Sequence, residues 1–412
     1  MSVLPDHFFA TLRQMGMTGV PEEFSVACSQ QEVARTVVAD IEAFIAVFDR
    51  VTTRSAWQEH VTRTVPEIAR LRRAEVCFFS AWDFHLPDAL PNHWQLIEFN
   101  DNGSGVMSAA LINRIFYEMG GMERRKDIEA PLPVAAFCDQ LAVMIGTEAE
   151  AFFGTRPPES LLILDDAESL ERGRFRRELI LLRDLLRTRG WRAEIGSADE
   201  LCWDGRRLLR QHIEVSFVIN RSTDFFWEGA TFSALAAAYR EGRVYVAPNP
   251  FTYATRSDKR LLELLSHRDW DEQLGIEAAE RALLERHVPQ TWLVRADNVD
   301  RLVEHKDSLV FKPAHGFAGH GLLPASQVGR SRLRRLLKRG IPYVAQRCVP
   351  KPSMSTDGQR LWTDLRVWSY RGRRFLLSGR ASRHPGFIDL TPPGGWLPTY
   401  LQGESRLHGC RE

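Results

Sequence analysis

The residues in this chain most suited to chemistry begin with Lys312. It ends the apolar run Leu309–Phe311 and opens a loop carrying Gly316, Gly319 and Gly321, before a second apolar run at Leu322. This pattern predicts strand, pliant loop, strand, with a cation at the mouth of the loop. Glycines let backbone N–H groups close on a polyanion, so the stretch could cover phosphates. No helix begins directly after it: Leu322-Leu323-Pro324 reads as strand. A Walker loop or a dinucleotide fingerprint requires that helix, and neither fits. On these residues alone an ordinary glycine-rich hairpin remains open.

A second group lies far upstream. His93–Phe99 alternates and ends in Asn100-Asp101-Asn102-Gly103-Ser104-Gly105. On a strand, Glu98 and Asn100 stand two residues apart and share a face. A carboxylate and a carboxamide together are hard oxygen ligands suited to Mg²⁺. Asp83 follows the β-like run Glu75–Ser80, in the neighbouring arm of a hairpin, and is the third candidate ligand. Asn102–Ser104 could receive a substrate or phosphate through backbone N–H groups. The competing reading is a solvent-facing strand and a plain turn.

Four further places carry candidates. Val215–Ile219 reads as a strand ending in Asn220-Arg221-Ser222-Thr223-Asp224, and ligands of open α/β sheets gather beyond such strand ends. Arg221 and Asp224 could equally pair to cap the next helix. Ser257-Asp258-Lys259 opens an apolar helix, with Lys259 in its first turn. Tyr343–Val349 is a strand ending at Pro350, whose backbone could pair with an adenine edge or simply belong to a sheet. Asp364–Tyr370 and Phe375–Arg380 form a hairpin, with Asp364 and Arg366 on one face and arginines on the returning strand.

These candidates need a scaffold, and 412 residues suffice for two or three lobes. Four regions are expected: a helical stretch over 1–75, the Asp83–Asn100 hairpin with helices over 76–155, a Rossmann-like α/β lobe over 156–250, and the remainder over 251–412. Val33–Val51 places Val37, Val38, Ile41, Phe44, Ile45 and Phe48 at helical spacing, a core-facing pattern. Leu161–Leu164, the helix Arg174–Arg189 and Arg192–Ile195 make a βαβ unit. No G-x-G-x-x-G follows its strands, so no dinucleotide site is expected. Arg332–Arg339 is a basic helix with a solvated face.

Net charge is +1, which makes no bulk electrostatic case for nucleic acid or membrane. Six cysteines are scattered without C-x-x-C spacing, the usage of a reducing compartment. Asp6 and Arg13 interrupt the apolar residues of the N-terminus, so a signal peptide is not expected and the cytoplasm is the default.

The order of these motifs resembles the ATP-grasp superfamily. Asn249-Pro250, Asp258-Lys259, Val288-Pro289-Gln290-Thr291, Phe311-Lys312-Pro313 with its glycine loop, Gln346–Val349 and Asp364-x-Arg366 follow one another as in that group. Glu98-Phe99-Asn100 precedes them all instead of following the Asp-x-Arg strand. That order is similar to the circularly permuted ATP-grasp proteins, including the synthetase part of the glutathionylspermidine synthetase family. The resemblance implies a permuted ATP-grasp-like α/β fold with α+β elements, a Rossmann-like lobe and a helical N-terminal region.

It further implies that Lys259 and Lys312 contact nucleotide phosphates, under a flap that includes His315, Gly316, Gly319 and Gly321. Gln346, Arg347, Cys348 and Val349 would hold adenine. Asp83, Glu98 and Asn100 would hold one or two Mg²⁺ ions, and Arg366, Arg380 and Arg221 would serve at the reacting centre. One departure matters: those synthetases carry an arginine two residues before the metal-binding aspartate, and here that residue is Ala81. Either Arg221 or Arg366 replaces it, or the chemistry differs. No amidase half is expected ahead of the synthetase-like part. The implied activity is an ATP- and Mg²⁺-dependent carboxylate–amine ligase acting through an acyl phosphate, on a small-molecule or peptide carboxylate and an amine. Phosphoryl transfer to another acceptor, or nucleotide binding without catalysis, are the alternatives.

Overall fold

The structure is a computed structural model and describes residues 10–11, 13–14, 25–87, 93–120, 122, 125–154, 160–316, 321–356, 358–386, 388 and 390–402. The fold is mixed α/β, and its centre is an antiparallel sheet. In that sheet Gly395–Leu397, Arg373–Ser382, Gln359–Tyr370, Ser80–His85 and Gln95–Asn100 lie side by side, with Ser353–Thr356 on the margin of Gln359–Tyr370. The early hairpin thus extends the sheet built by the late one.

Alternation gives this sheet two unlike faces. Trp82, Phe84, Phe99, Leu365 and Val367 point into a core shared with the helix Arg35–Thr53. That helix has no internal glycine or proline and presents Phe44 and Phe48 to the sheet. Phe48 meets Trp82 edge-on at 4.8 Å between ring centroids. Each such ring taken fully from water contributes about 1.5–3 kcal/mol. The opposite face carries the charged residues of the site.

A second sheet is parallel, in the order Tyr245–Ala247, Phe217–Asn220, Ser160–Leu164, Arg192–Gly196. The helices Arg176–Thr188 and Ser233–Arg240 connect its strands, and all four strand ends open toward one side. A third sheet places Tyr343–Arg347 between Thr291–Leu293 and Leu309–Pro313. Gln31–Val33 pairs in parallel with Thr399–Leu401 and ties the two ends of the described chain together.

Several expected boundaries shift. The strand predicted over Glu75–Ser80 begins only at Ser80, so Asp83 lies inside a strand. Glu75–Phe79 instead passes beneath the parallel sheet, where Tyr245 accepts the N–H of Val76 and donates to its carbonyl. Leu322 starts no strand; Leu323 makes an isolated bridge to Phe311. The segment ahead of Lys259 is a π-helical turn, Tyr253–Ser257, a distortion frequent at functional sites. Among the described residues no helix is long and apolar enough to cross a membrane. Cys28, Cys77, Cys138, Cys202 and Cys348 are free thiols.

Candidate active site

The register of the central sheet lines up the polar residues in rows. Glu98 lies opposite Asp83, and Asp83 opposite Arg366. One row along, Asn100 lies opposite Ala81, and Ala81 opposite Trp368. In the other direction Asp364 faces Arg380, which faces Trp396. Directly opposed residues share a face at close range. The sheet therefore gathers Asp83, Glu98, Asn100, Asp364, Arg366 and Arg380 from four strands onto one surface.

The charges on this surface are already paired. Arg366 grips both oxygens of Asp83, at 2.6 and 2.7 Å. Arg380 bridges Asp83, at 2.8 Å, and Asp364, at 2.6 and 3.0 Å. Burial pushes the Asp83 carboxyl up, but Arg366 and then Arg380 outweigh it and hold the group well below the usual range. Lys259 reaches Glu98 at 3.1 Å and also donates to the carbonyl of Gly316. Burial raises the Glu98 carboxyl, and Lys259, assisted by Lys312, more than offsets this. Lys312 donates to the carbonyl of Ile97 at 3.0 Å and to Gln346 at 2.8 Å. Its burial brings the ammonium down to about 8, against the pull of Glu98.

The remaining expected nucleotide contacts fall around these lysines. His315 receives or donates a hydrogen bond with the Tyr253 hydroxyl at 2.8 Å. Gly316 is the carbonyl tethered by Lys259, and the carbonyl of Gly321, a glycine with φ +76°, accepts from Tyr343. Gly319 lies outside the described residues. Gln346 is held by Lys312 and donates to Thr291 at 3.3 Å. The expected open backbone of the adenine segment is partly closed. Its strand is the central one of three, and the N–H groups of Arg347 and Cys348 go to the carbonyls of Gln290 and Ser308. The carbonyl of Val349 lies 3.3 Å from Nδ1 of His85.

The loop after Asn100 spends part of its backbone on its own anchoring. The N–H of Gly103 goes to the carbonyl of Phe79, and that of Gly105 to Glu178, so these two are not available to an anion. Side-chain donors converge there instead: Arg221 donates to the Ser104 hydroxyl at 2.6 Å, and Arg366 approaches the Ser104 carbonyl at 3.3 Å. Arg221 is buried and stands 3.7 Å from Glu178; it forms no pair with Asp224, which accepts from the N–H groups of Glu228 and Gly229. Asp101 anchors the loop through Ser80, Ser257 and Arg256. A cavity of about 20 Å³, the room of one water, lies beside it, walled by Asn100, Asn102, Asn220, Ser222, Asn249 and Tyr253.

Ala81 explains the loop's shape. A Cβ on Gly103 would lie 2.2 Å from the Phe79 carbonyl and 2.6 Å from the Ala81 methyl, and one on Gly105 would strike the Trp396 ring at 2.3 Å. The loop backbone lies directly on Ala81, Trp368 and Trp396, and no volume remains there for an arginine. Glu178 is a further buried charge of the site, in contact with the Gly105 N–H and the Ser108 hydroxyl. In the sequence it shows only as an acid on the apolar stripe of a helix, in line with Leu182 and Leu186.

Two oxygen donors on this face suit Mg²⁺, which usually takes one or two carboxylates and completes its shell with phosphate and water. Glu98 and Asn100 are partly buried neighbours, and the Asn100 side chain makes no hydrogen bond among the described residues. Asp83 could join only by leaving its arginines. The described residues contain no group of three or more His, Cys, Asp or Glu that could hold a metal. The fit is therefore to an ion arriving with oxygen ligands of its own.

No protein-family model matches the sequence, and no curated protein matches it. Solved structures do. A glutathione synthetase-like effector from Globodera pallida aligns over 96% of both chains, with a TM-score of 0.52 and 11% identity. A Methylobacillus flagellatus protein assigned by name as a gamma-glutamylcysteine synthetase aligns over 87% of this chain and 86% of its own, with a TM-score of 0.47 and 11% identity. The ATP-grasp ligase PsnB, solved with minimal precursor, Mg and ADP, aligns over 61% of this chain and 91% of its own, with a TM-score of 0.29 and 15% identity. At such identities the likeness concerns architecture, and the first of the three carries it. The chain shares its mixed α/β fold from end to end with the glutathione synthetase-like effector.

Proposed function

We propose that the protein is an ATP- and Mg²⁺-dependent carboxylate–amine ligase that works through an acyl phosphate. The observation that carries this reading is the convergence of Lys259 and Lys312 on the Glu98 strand, beside Arg366 and Arg380. Two ammonium groups, Lys259 buried and Lys312 partly so, at the edge of a polar sheet face suit the β- and γ-phosphates of a nucleotide. Gln346 holds Lys312 in place and, with Arg347, Cys348 and Val349, forms the segment against which adenine would rest. Glu98 and Asn100 would hold Mg²⁺, which when bound neutralises phosphate charge and aligns the transferred group.

The chain's residues then have distinct tasks. Lys259 and Lys312 orient the phosphates. Arg366 and Arg380, fixed by Asp83 and Asp364, stabilise negative charge as a substrate carboxylate oxygen attacks the γ-phosphorus and ADP leaves. Arg221 approaches the same point from the parallel sheet. An amine then adds to the acyl carbon, and inorganic phosphate departs. The loop bearing His315, Gly316, Gly319 and Gly321 would keep water from the acyl phosphate.

A second reading, nucleotide binding without turnover, is favoured by one observation: the Ala81 position is filled by Gly103 and Trp368. ADP release over a panel of amino acids and dipeptides, with amines added, separates the two. Release that requires both a carboxylate and an amine supports the ligase. Tight ADP binding with no release over the whole panel supports the binding module.

A further inference from the structure

The charge inventory of the site leads to its order of loading. The polar face presents three carboxylates, Asp83, Glu98 and Asp364, to the cationic side chains of Arg366, Arg380, Lys259 and Lys312, with Lys351 close enough to act on Asp364 and Arg380. Each carboxylate is engaged. Both oxygens of Asp83 are on guanidinium groups, Asp364 is on Arg380, and Oε1 of Glu98 is on the Lys259 ammonium. A free divalent ion would meet a surface of net positive charge and find its most accessible carboxylate, Glu98, occupied by an ammonium. A polyphosphate meets the opposite situation.

Lys259 is held by two acceptors, the Glu98 carboxylate and the Gly316 carbonyl at the root of the glycine loop. A phosphate oxygen is a stronger acceptor for an ammonium than a carbonyl and competes with the carboxylate. Moving Lys259 onto phosphate would uncover Glu98 beside Asn100 and at the same time add negative oxygens to the neighbourhood.

We infer that Lys259 acts as a built-in surrogate cation on Glu98, so that the site takes up a divalent ion only after a nucleoside polyphosphate has drawn the lysine away. This rests on the nucleotide-binding reading given above and adds the order: nucleotide first, without metal, and metal second. The residue that gates the metal is the residue that recognises the phosphate, which couples the two ligands through one side chain.

Mn²⁺ alone, followed by electron paramagnetic resonance of the free ion, tests the gate without any nucleotide. Wild-type protein should leave Mn²⁺ free up to millimolar concentration. Lys259→Met and Lys259→Gln should each bind Mn²⁺ at least about tenfold more tightly, because a unit positive charge a few ångströms from the ion is gone. Adding Glu98→Gln to either variant should abolish that gain. Thermal melting identifies which of the two single variants is folded, and either suffices. Wild-type binding of Mn²⁺ alone as tight as in either variant overturns the inference, as does a folded variant that gains nothing. A separate titration of wild-type protein with metal-free ADP addresses the nucleotide reading. No ADP binding, with or without Mn²⁺, sinks that reading while leaving the Mn²⁺ comparison interpretable.

Discussion

Asp83 and Arg366 face each other across two adjacent strands and are joined by two parallel hydrogen bonds of 2.6 and 2.7 Å, although 283 positions separate them in the chain. Arg380 closes the same carboxylate from the next strand. Truncating a buried ion pair leaves the partner charge uncompensated, which costs about 3–5 kcal/mol. Asp83→Ala is expected to destabilise the fold by that amount, and Asp83→Asn by less, in urea denaturation. Unchanged stability in Asp83→Ala would show that the arginines find other acceptors.

Ala81 is 1% exposed and lies under Gly103. Ala81→Arg is expected to destabilise the protein, by at least about 1–3 kcal/mol for overpacking alone, and to weaken any activity found. A drop of several degrees in melting temperature is the outcome to look for. An Ala81→Arg protein as stable as wild type, with increased turnover, would mean that the loop yields easily and that the position is a natural seat for arginine.

Lys312 titrates at about 8 because burial disfavours its charge. Below that pH the ammonium is present to meet phosphate. Above it, the free protein must take up a proton to bind, so the affinity for metal-free ADP should fall by up to about tenfold per pH unit. Calorimetric titrations at pH 7 and pH 9, in two buffers of different ionisation enthalpy, read both the affinity and the proton uptake. Lys312→Arg should flatten the profile. A wild-type affinity that does not vary over this range would count against a direct role for Lys312.

Glu75 is buried beneath the parallel sheet, with one oxygen lacking a hydrogen-bond partner. Burial pushes its carboxyl up to about 7 from an ordinary 4.5. The folded state then holds a proton through a window in which the unfolded chain has lost it. Stability should therefore fall as pH rises from 4.5 to 7. Glu75→Gln should be close to neutral at pH 4.5 and stabilising by roughly 2–3 kcal/mol at pH 8. Equal effects at both pH values would place the carboxylate in contact with water or a cation.

The sequence by itself carried the periodic information. Alternation put Glu98 and Asn100 on one face of a strand, and the same rule put Asp364 and Arg366 together on another. The βαβ pattern was readable because Leu161–Leu164 and the amphipathic helix after it each follow a local period. These features depend on neighbours a few residues apart, and local chemistry suffices for them. The partners of the charges do not. Nothing near Lys259 in the chain points to Glu98, and nothing near Asp83 points to Arg366 or Arg380; strand register alone decides those pairs. The closure of the Tyr343–Val349 backbone depended likewise on its strand being central in its sheet, and the seats left to Gly103 and Gly105 depended on Trp368 and Trp396, far along the chain. A sequence states which groups are present and which way they turn on their own strand. Only the tertiary structure sets which charge neutralises which, because Coulomb pairing falls with distance through space and takes no account of separation along the chain.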